Sequence, residues 1–116
     1  MNGTREGKGF QYNEIGIMVY EGDWKNGAQE GYGIVYNDNG IRFYEGELKN
    51  WNRHGKGILY YNNGSKFFEG DWEDDASTGK GIQYNENMVR IYAGEFVNGS
   101  WEGYGVQFYI SYLTIL

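Results

Sequence analysis

The sequence of 116 residues contains neither cysteine nor proline, and only one histidine. Without cysteine, disulfide bonds and thiolate metal sites are excluded. Nucleophilic catalysis by a serine would need a histidine and an orienting acid. The serines fall in turn-like segments or near the end of the chain, and we expect His54 to have a structural role.

Long apolar runs are also missing. No run of about 18 apolar residues occurs, so the sequence predicts no transmembrane helix. The opening segment, from Met1 to Arg5, lacks the apolar stretch of a signal peptide. These two features together lead us to expect an intracellular, cytoplasmic protein.

Basic residues are few and scattered. Sixteen acidic residues face ten lysines and arginines, which gives a formal net charge of −6. A nucleic-acid-binding protein is expected to show a basic face, so we exclude this class. The same charge disfavours contact with a membrane of anionic lipids.

Aromatic and glycine residues are abundant instead. Aromatics make up 19% of the chain, and twelve of them are tyrosines, while glycine occurs twenty times. We expect a core built largely from rings, which bury more area each than aliphatic side chains. This content of rings, without any proline, argues against a disordered linker.

Two motifs recur at a fixed interval of 24 residues. The pair Gly-x-Gly begins at Gly7, Gly31, Gly55, Gly79 and Gly103. A motif of the type Tyr-Glu-Gly-Asp-Trp begins at Tyr20, Tyr44, Phe68 and Tyr92. A period of about 20–50 residues indicates a tandem array in which each unit packs on its neighbours. We expect one array over residues 1–116, divided at about 1–24, 25–48, 49–72, 73–96 and 97–116.

Each unit contains two short runs of β-branched and aromatic residues bounded by Asn, Asp and Gly. This pattern predicts two strands and two turns per unit, as in Asn37–Gly40 and Asn26–Gly27. The predicted fold is all-β, an elongated single-layer antiparallel ribbon of stacked hairpins. Strands about 4.8 Å apart give a ribbon of roughly 50 Å. We expect the positions of Tyr36 and Tyr44 to supply most of the core.

Glycine in the second strand lies between two large side chains, as Gly22 does between Tyr20 and Trp24. We interpret it as a spacer that leaves room for a ring of a neighbouring strand. Carboxylates on the other side of this strand stand in a row and do not converge as Ca²⁺ ligands must. Because every unit carries them, they mark no active site. We therefore expect no metal and no cofactor.

These residues resemble the MORN repeat, named for membrane occupation and recognition nexus. The resemblance runs from about Asn2 to Tyr109, and the segment Arg53–Gly57 is close to the family consensus. It implies a β-ribbon that acts as a scaffold or as a targeting or dimerising segment. MORN arrays are common in ciliary and cytoskeletal assemblies, and as modules attached to lipid kinases or methyltransferases.

Exceptions to the repeat are the best candidates for a partner interface. Aromatic residues replace polar or small ones in one unit each at Trp51 and Trp101, and they replace lysine in two units at Tyr32 and Tyr104. The last segment is the most apolar of the chain and contributes Tyr112, Leu113, Ile115 and Leu116. This segment can dock back as a cap, pair with another chain or continue into a longer assembly. An uncovered apolar edge favours association, so we expect it to bind a partner or a second copy.

We therefore predict a non-enzymatic scaffold that binds other proteins within a larger assembly, of which a cytoskeletal or ciliary complex is the first expectation. One alternative is a membrane module that targets phosphoinositides. Others are the regulatory segment of a larger enzyme and a surface repeat that binds glycans.

Overall fold

The computed structural model describes residues 4–107, in which nine strands form one antiparallel sheet in chain order. The strands are β1 Gly7–Tyr12, β2 Met18–Lys25, β3 Ala28–Tyr36, β4 Arg42–Lys49, β5 Asn52–Tyr60, β6 Lys66–Glu73, β7 Ala76–Tyr84, β8 Arg90–Val97 and β9 Ser100–Gln107. The molecule measures 65 × 31 × 16 Å. The predicted all-β ribbon of stacked hairpins is confirmed.

Long connections of five residues close one set of hairpins. In the first of them, the Asn13 Oδ1 atom accepts hydrogen bonds from the N–H groups of Ile15 and Ile17 at 3.1 and 3.0 Å. Asn37 and Asn85 do the same in later units. The asparagine side chain therefore replaces missing backbone partners, as in an Asx-turn.

Short connections of two residues close the other set, and both residues have positive φ. In Asn26 and Gly27 the φ angles are 52° and 79°, as a type I′ turn requires. Trp51 and Asp75 take the position of Gly27 in later units, with φ of 74° and 72°. Left-handed backbone costs a non-glycine residue about 1–2 kcal/mol, so these two turns are strained.

The short turns are tied to the preceding unit by backbone hydrogen bonds. The N–H of Trp51 donates to the Gln29 carbonyl at 3.1 Å, and that of Asp75 to the Arg53 carbonyl at 2.9 Å. The Asp75 carboxylate also accepts from Arg53 Nε at 2.7 Å. These contacts help to hold the two strained turns in place.

One side of the sheet, which we call the ring face, carries the core. Its buried residues are Tyr20, Trp24, Tyr44, Leu48, Phe68, Trp72, Tyr92 and Phe96. All of them come from the second strand of a unit, which confirms the prediction for the position of Tyr44. Val35 and Leu59 pack against this cluster from the first strands.

Rings on this face reach beyond the neighbouring strand. Tyr44 of β4 meets Trp72 of β6 edge-on, with centroids 5.7 Å apart and planes at 89°. Phe68 of β6 meets Phe96 of β8 at 4.7 Å and 80°. Edge-to-face pairs contribute about 0.5–1.5 kcal/mol beyond their buried area. Interlocking across units thus buries rings in a sheet of a single layer.

The second glycine of each Gly-x-Gly pair makes room for these rings. A Cβ atom on Gly33 would lie 2.5 Å from Tyr20 Cε1, and one on Gly57 at the same distance from Tyr44 Cε1. Neither ring has space to retreat, since both tyrosines are fully buried. The interpretation of strand glycines as spacers for rings is confirmed at these positions.

The prediction that Tyr36 and its equivalents belong to this core is wrong. The register pairs Tyr20 with Val35, and Glu21 with Ile34. Residues directly opposite in an antiparallel pair share a face, so Val35 lies on the ring face. By strand alternation Tyr36 lies on the other face, where its hydroxyl bonds Glu21.

Candidate interaction surfaces

The side of the sheet opposite the rings, which we call the carboxylate face, carries two rows of acidic residues. These are Glu21, Asp23, Glu45, Glu47, Glu69 and Asp71. The outer row consists of Asp23, Glu47 and Asp71, and the inner row of Glu21, Glu45 and Glu69. The outer row accepts hydrogen bonds from backbone N–H groups at points where the register of strand pairing shifts. Asp23 Oδ2 accepts the N–H of Tyr32 at 2.9 Å, and Glu47 Oε2 accepts that of Lys56 at 2.7 Å.

The inner row accepts hydrogen bonds from tyrosine hydroxyls. Tyr36 donates to Glu21 Oε1 at 2.5 Å, and Tyr84 to Glu69 Oε1 at 2.6 Å. The bond to Glu21, helped by burial, raises the pKa of Tyr36 to about 12. The hydroxyl of Tyr84 lowers the pKa of Glu69. These carboxylates therefore serve the sheet itself.

Lysines on the carboxylate face neutralise part of its charge. Lys8 Nζ lies 2.5 Å from Asp23 Oδ1, and Lys56 pairs with Asp71 in the same way two units along. The bond from Lys8, with that from the backbone, lowers the pKa of Asp23. Both lysines are largely exposed, and such pairs contribute little stability. Their main effect is to reduce the charge available to a ligand.

Tyr32 lies on the carboxylate face and is 49% exposed. Its hydroxyl donates to Glu45 Oε2 at 2.5 Å, and Arg42 binds the other oxygen of Glu45 at 2.9 Å. The bond to Glu45 raises the pKa of Tyr32 to about 12. Its ring lines an open depression together with Ile58 and Ile82. Three other units carry lysine at this position and the last unit carries Tyr104, so an aromatic residue occurs here in two of the five units.

Trp51 lies on the other side of the sheet and is 48% exposed. The edge of its indole meets Trp24, with centroids 5.6 Å apart and planes at 82°. Its free side lines an open depression with Phe43 and Arg53. The structure therefore places Tyr32 and Trp51 on opposite faces and does not bring them into one site.

The remaining predicted interface residues lie in β9 and in the final segment of the chain. Trp101 stacks flat on Tyr92 at 4.5 Å and 6°, and its Nε1 donates to Gln83 Oε1 at 2.7 Å. Tyr104 lies in β9, and its side chain is outside the description. Four predicted interface residues of the final segment lie outside the described residues: Tyr112, Leu113, Ile115 and Leu116.

Sequence reasoning missed a set of arginine caps on the ring face. The guanidinium of Arg5 lies 4.6 Å from the ring centroid of Trp24, and that of Arg53 lies 4.4 Å from Trp72. A cation over an indole face is attracted by its electron density. The sequence does contain a signal for these contacts. Arg5 and Arg53 occupy equivalent positions of the repeat, and the next strand in each of these two units carries a tryptophan, Trp24 or Trp72.

Clusters of potential metal ligands are also missing among the described residues. No group of three or more His, Cys, Asp or Glu side chains converges within residues 4–107. In the same part of the chain, no helix is long and apolar enough to cross a membrane.

Hairpins that repeat every 24 residues, with interlocked rings on one face and bracing carboxylates on the other, define a β-repeat array. The chain belongs to the MORN repeat family, whose pattern matches residues 20–42, 44–66, 68–87 and 92–113. None of the curated proteins compared with the chain is similar enough to count as a relative. MORN repeat proteins are generally non-catalytic, and their repeats are consistent with an interaction or membrane-binding module.

Proposed function

We propose that this array is a non-enzymatic scaffold that binds other proteins within a larger assembly. The observation that carries the proposal is Trp51, a half-exposed indole at positive φ in a turn where the other units have glycine or, in one case, aspartate. Bulky residues rarely adopt this conformation, and retained backbone strain clusters at functional sites. Tryptophan is also among the residues that most often anchor protein interfaces.

The immediate surroundings of Trp51 support this role. Phe43, which is also exposed, lies in the same depression, and the Arg53 guanidinium lies 5.8 Å from its ring centroid. Aromatic and arginine side chains are enriched in interface centres. On the opposite face Tyr32 offers a second, smaller contact. A ribbon with one such patch on each face suits a scaffold that holds two partners.

The setting belongs to the same proposal. MORN arrays commonly occur in cytoskeletal and ciliary assemblies, and we place this chain in the cytoplasm, on such a structure. A homo-oligomer formed through the C-terminal edge, at residues 112–116, is part of the proposal. A monomer at all concentrations in sedimentation experiments would contradict that part alone.

Capture of partners from the cells that express the protein tests the scaffold. The tagged chain is crosslinked, and bound proteins are identified by mass spectrometry for wild type, Trp51→Gly and Tyr32→Lys. Ile15→Ala is the matched control, because Ile15 is an exposed apolar residue in a long turn. We expect Trp51→Gly to lose at least one partner that Ile15→Ala keeps. If both ring variants keep every partner, the assignment of these surfaces is wrong.

Membrane targeting is the second candidate. Against it stand the net charge of −6 and the engagement of Lys8 and Lys56 by carboxylates. Phosphoinositide headgroups need free basic side chains. Flotation with vesicles that contain phosphoinositides separates the two proposals. Binding that persists at physiological salt would favour the membrane module over the scaffold.

A further inference from the structure

Trp24 and Trp72 occupy equivalent positions two units apart, but their surroundings differ. Trp72 Nε1 donates to the Gly57 carbonyl at 3.2 Å, and the ring meets Tyr44 of the preceding unit. Trp24 is equally buried, at 4% exposure, yet its Nε1 has no hydrogen-bond partner in the described structure. An unpaired buried donor costs about 1–3 kcal/mol.

The missing ring contact of Trp24 is explained by its place at the N-terminal end of the sheet. Within residues 4–107, β1 pairs only with β2, so its outer edge carries unpaired backbone groups. Among the described residues, no strand lies on the outer side of β1 to supply the ring that Tyr44 supplies to Trp72. The rings that do meet Trp24 are Tyr20 of its own strand and Trp51 of a later turn.

Within residues 4–107, no ring of a preceding strand takes that place over Gly9. In later units, tyrosine rings of the preceding strand cover Gly33 and Gly57, 2.5 Å from where a Cβ would lie. Over Gly9 the nearest atoms are those of the Trp24 indole edge, including Nε1, at 3.1 Å. We call this space, bounded by Gly9 and Trp24 at the outer edge of β1, the Gly9 notch.

The chemistry of an occupant follows from the strands that fill equivalent places. The strand before a Gly-x-Gly pair places an aromatic ring over the second glycine of that pair. Two residues after the ring, the same strand has a glycine of its own. The next residue of that strand is acidic. Its carboxylate, in Asp23, Glu47 and Asp71, accepts a hydrogen bond from the N–H of the residue between the paired glycines. In β1 that residue is Lys8, whose backbone N–H is the equivalent donor at the outer edge.

We propose that the outer edge of β1 binds an extended segment of another protein with the pattern aromatic–x–Gly–acidic. The segment adds a strand to the sheet, and its aromatic ring enters the Gly9 notch. Backbone bonds of the added strand supply affinity, and the ring and carboxylate supply specificity. This site deepens the proposed scaffold function and rests on it. With the notch filled, Trp24 gains a ring contact equivalent to that of Trp72 with Tyr44.

A peptide with the sequence of residues 42–49 is the probe, since it carries the required pattern. Titration calorimetry compares it with the same peptide bearing Tyr44→Ala. We expect the alanine peptide to bind at least about tenfold more weakly, because it lacks the ring. Equal binding of the two peptides, or no binding of either, would overturn the proposal.

Two protein variants locate the peptide. Gly9→Val fills the notch and should abolish binding, whereas Phe10→Val changes the opposite face of the same strand and should preserve it. Circular dichroism checks that both variants keep the sheet. Should Gly9→Val fail to fold, the NMR spectrum of the wild-type protein still decides. The indole N–H signal of Trp24 should move on addition of peptide, while that of Trp72, an internal reference, should not.

Other outcomes also decide the matter. Movement of the Trp72 signal alone, or unchanged exchange of the Lys8 and Phe10 amide protons, would overturn the placement. Self-association that Gly9→Val abolishes would make a second copy the occupant, against the proposal of another protein. Failure of the peptide is distinguishable from failure of the scaffold, because partner capture through Trp51 does not involve this edge.

Discussion

The two faces of this sheet use different interactions over different distances. On the ring face, Tyr44 and Trp72 connect β4 to β6 across an intervening strand. On the carboxylate face, bonds such as Tyr36–Glu21 and Tyr32–Glu45 join strands that are already adjacent. The ring face therefore supplies cohesion beyond nearest neighbours, which a single-layer sheet otherwise lacks. The carboxylate face adds local bracing between adjacent strands.

The largest expected difference between the faces lies in their tyrosines. Tyr44→Ala removes a fully buried ring and should lower the free energy of unfolding by about 3–5 kcal/mol. Tyr36→Ala removes a partly buried ring and one hydrogen bond, and should cost about 1–2 kcal/mol. Urea denaturation of both variants measures this difference. Equal losses would show that the core is shared between the faces.

A smaller effect is expected where glycine meets a ring. Gly57→Ala forces a methyl group against the buried Tyr44 ring and should destabilise the protein by about 1–3 kcal/mol. Gly9→Ala is the matched control, since its nearest neighbour lies at 3.1 Å and, within residues 4–107, no ring of a preceding strand covers it. Thermal unfolding should show a clearly lower midpoint for Gly57→Ala. The reverse order would mean that the Gly9 notch is already filled.

The smallest expected effect is on the pH dependence of the carboxylate face. The pKa of Tyr36 is raised to about 12 by its bond to Glu21, against about 10 in the unfolded chain. A raised pKa stabilises the folded state below about pH 10, and this contribution disappears as pH rises through about 12.

The variant Tyr36→Phe isolates this contribution from that of buried Tyr20, whose pKa burial also raises to about 12. Melting temperatures recorded between about pH 8 and pH 12 should fall less steeply for Tyr36→Phe than for wild type. Identical slopes would show that the bond to Glu21 adds nothing. In acid the sign is opposite: the lowered pKa of Glu69 stabilises the folded state above its unfolded pKa, and this is lost as pH falls.

The sequence predicts the hairpins, the single layer and the ring-bearing second strand, because the period, turn residues and aromatic positions are all local signals. The side of Tyr36 depends on the register between strands. It was nevertheless within reach: Gly33 must lie under the Tyr20 ring, so alternation sends Tyr36 to the opposite face. The error came from assuming that any repeated ring belongs to the core.

The candidate surfaces were less accessible to sequence reasoning. Trp51 and Tyr32 stand out because they interrupt the repeat, but only the structure shows that they lie on opposite faces. The Gly9 notch has no signal of its own in the sequence, since Trp24 and Trp72 look alike there. It becomes visible when the hydrogen bond of one indole is compared with its absence in the other.

The central claim is that repeated rings hold the array together while the exceptional Trp51 serves partners. The unfolding free energy of Trp51→Gly tests it most directly. Loss of the half-exposed ring and its edge contact with Trp24 is partly offset by about 1–2 kcal/mol of relieved left-handed strain. The account predicts a net loss of at most about 2 kcal/mol. A loss as large as that of Tyr44→Ala would make Trp51 a core residue and contradict the account.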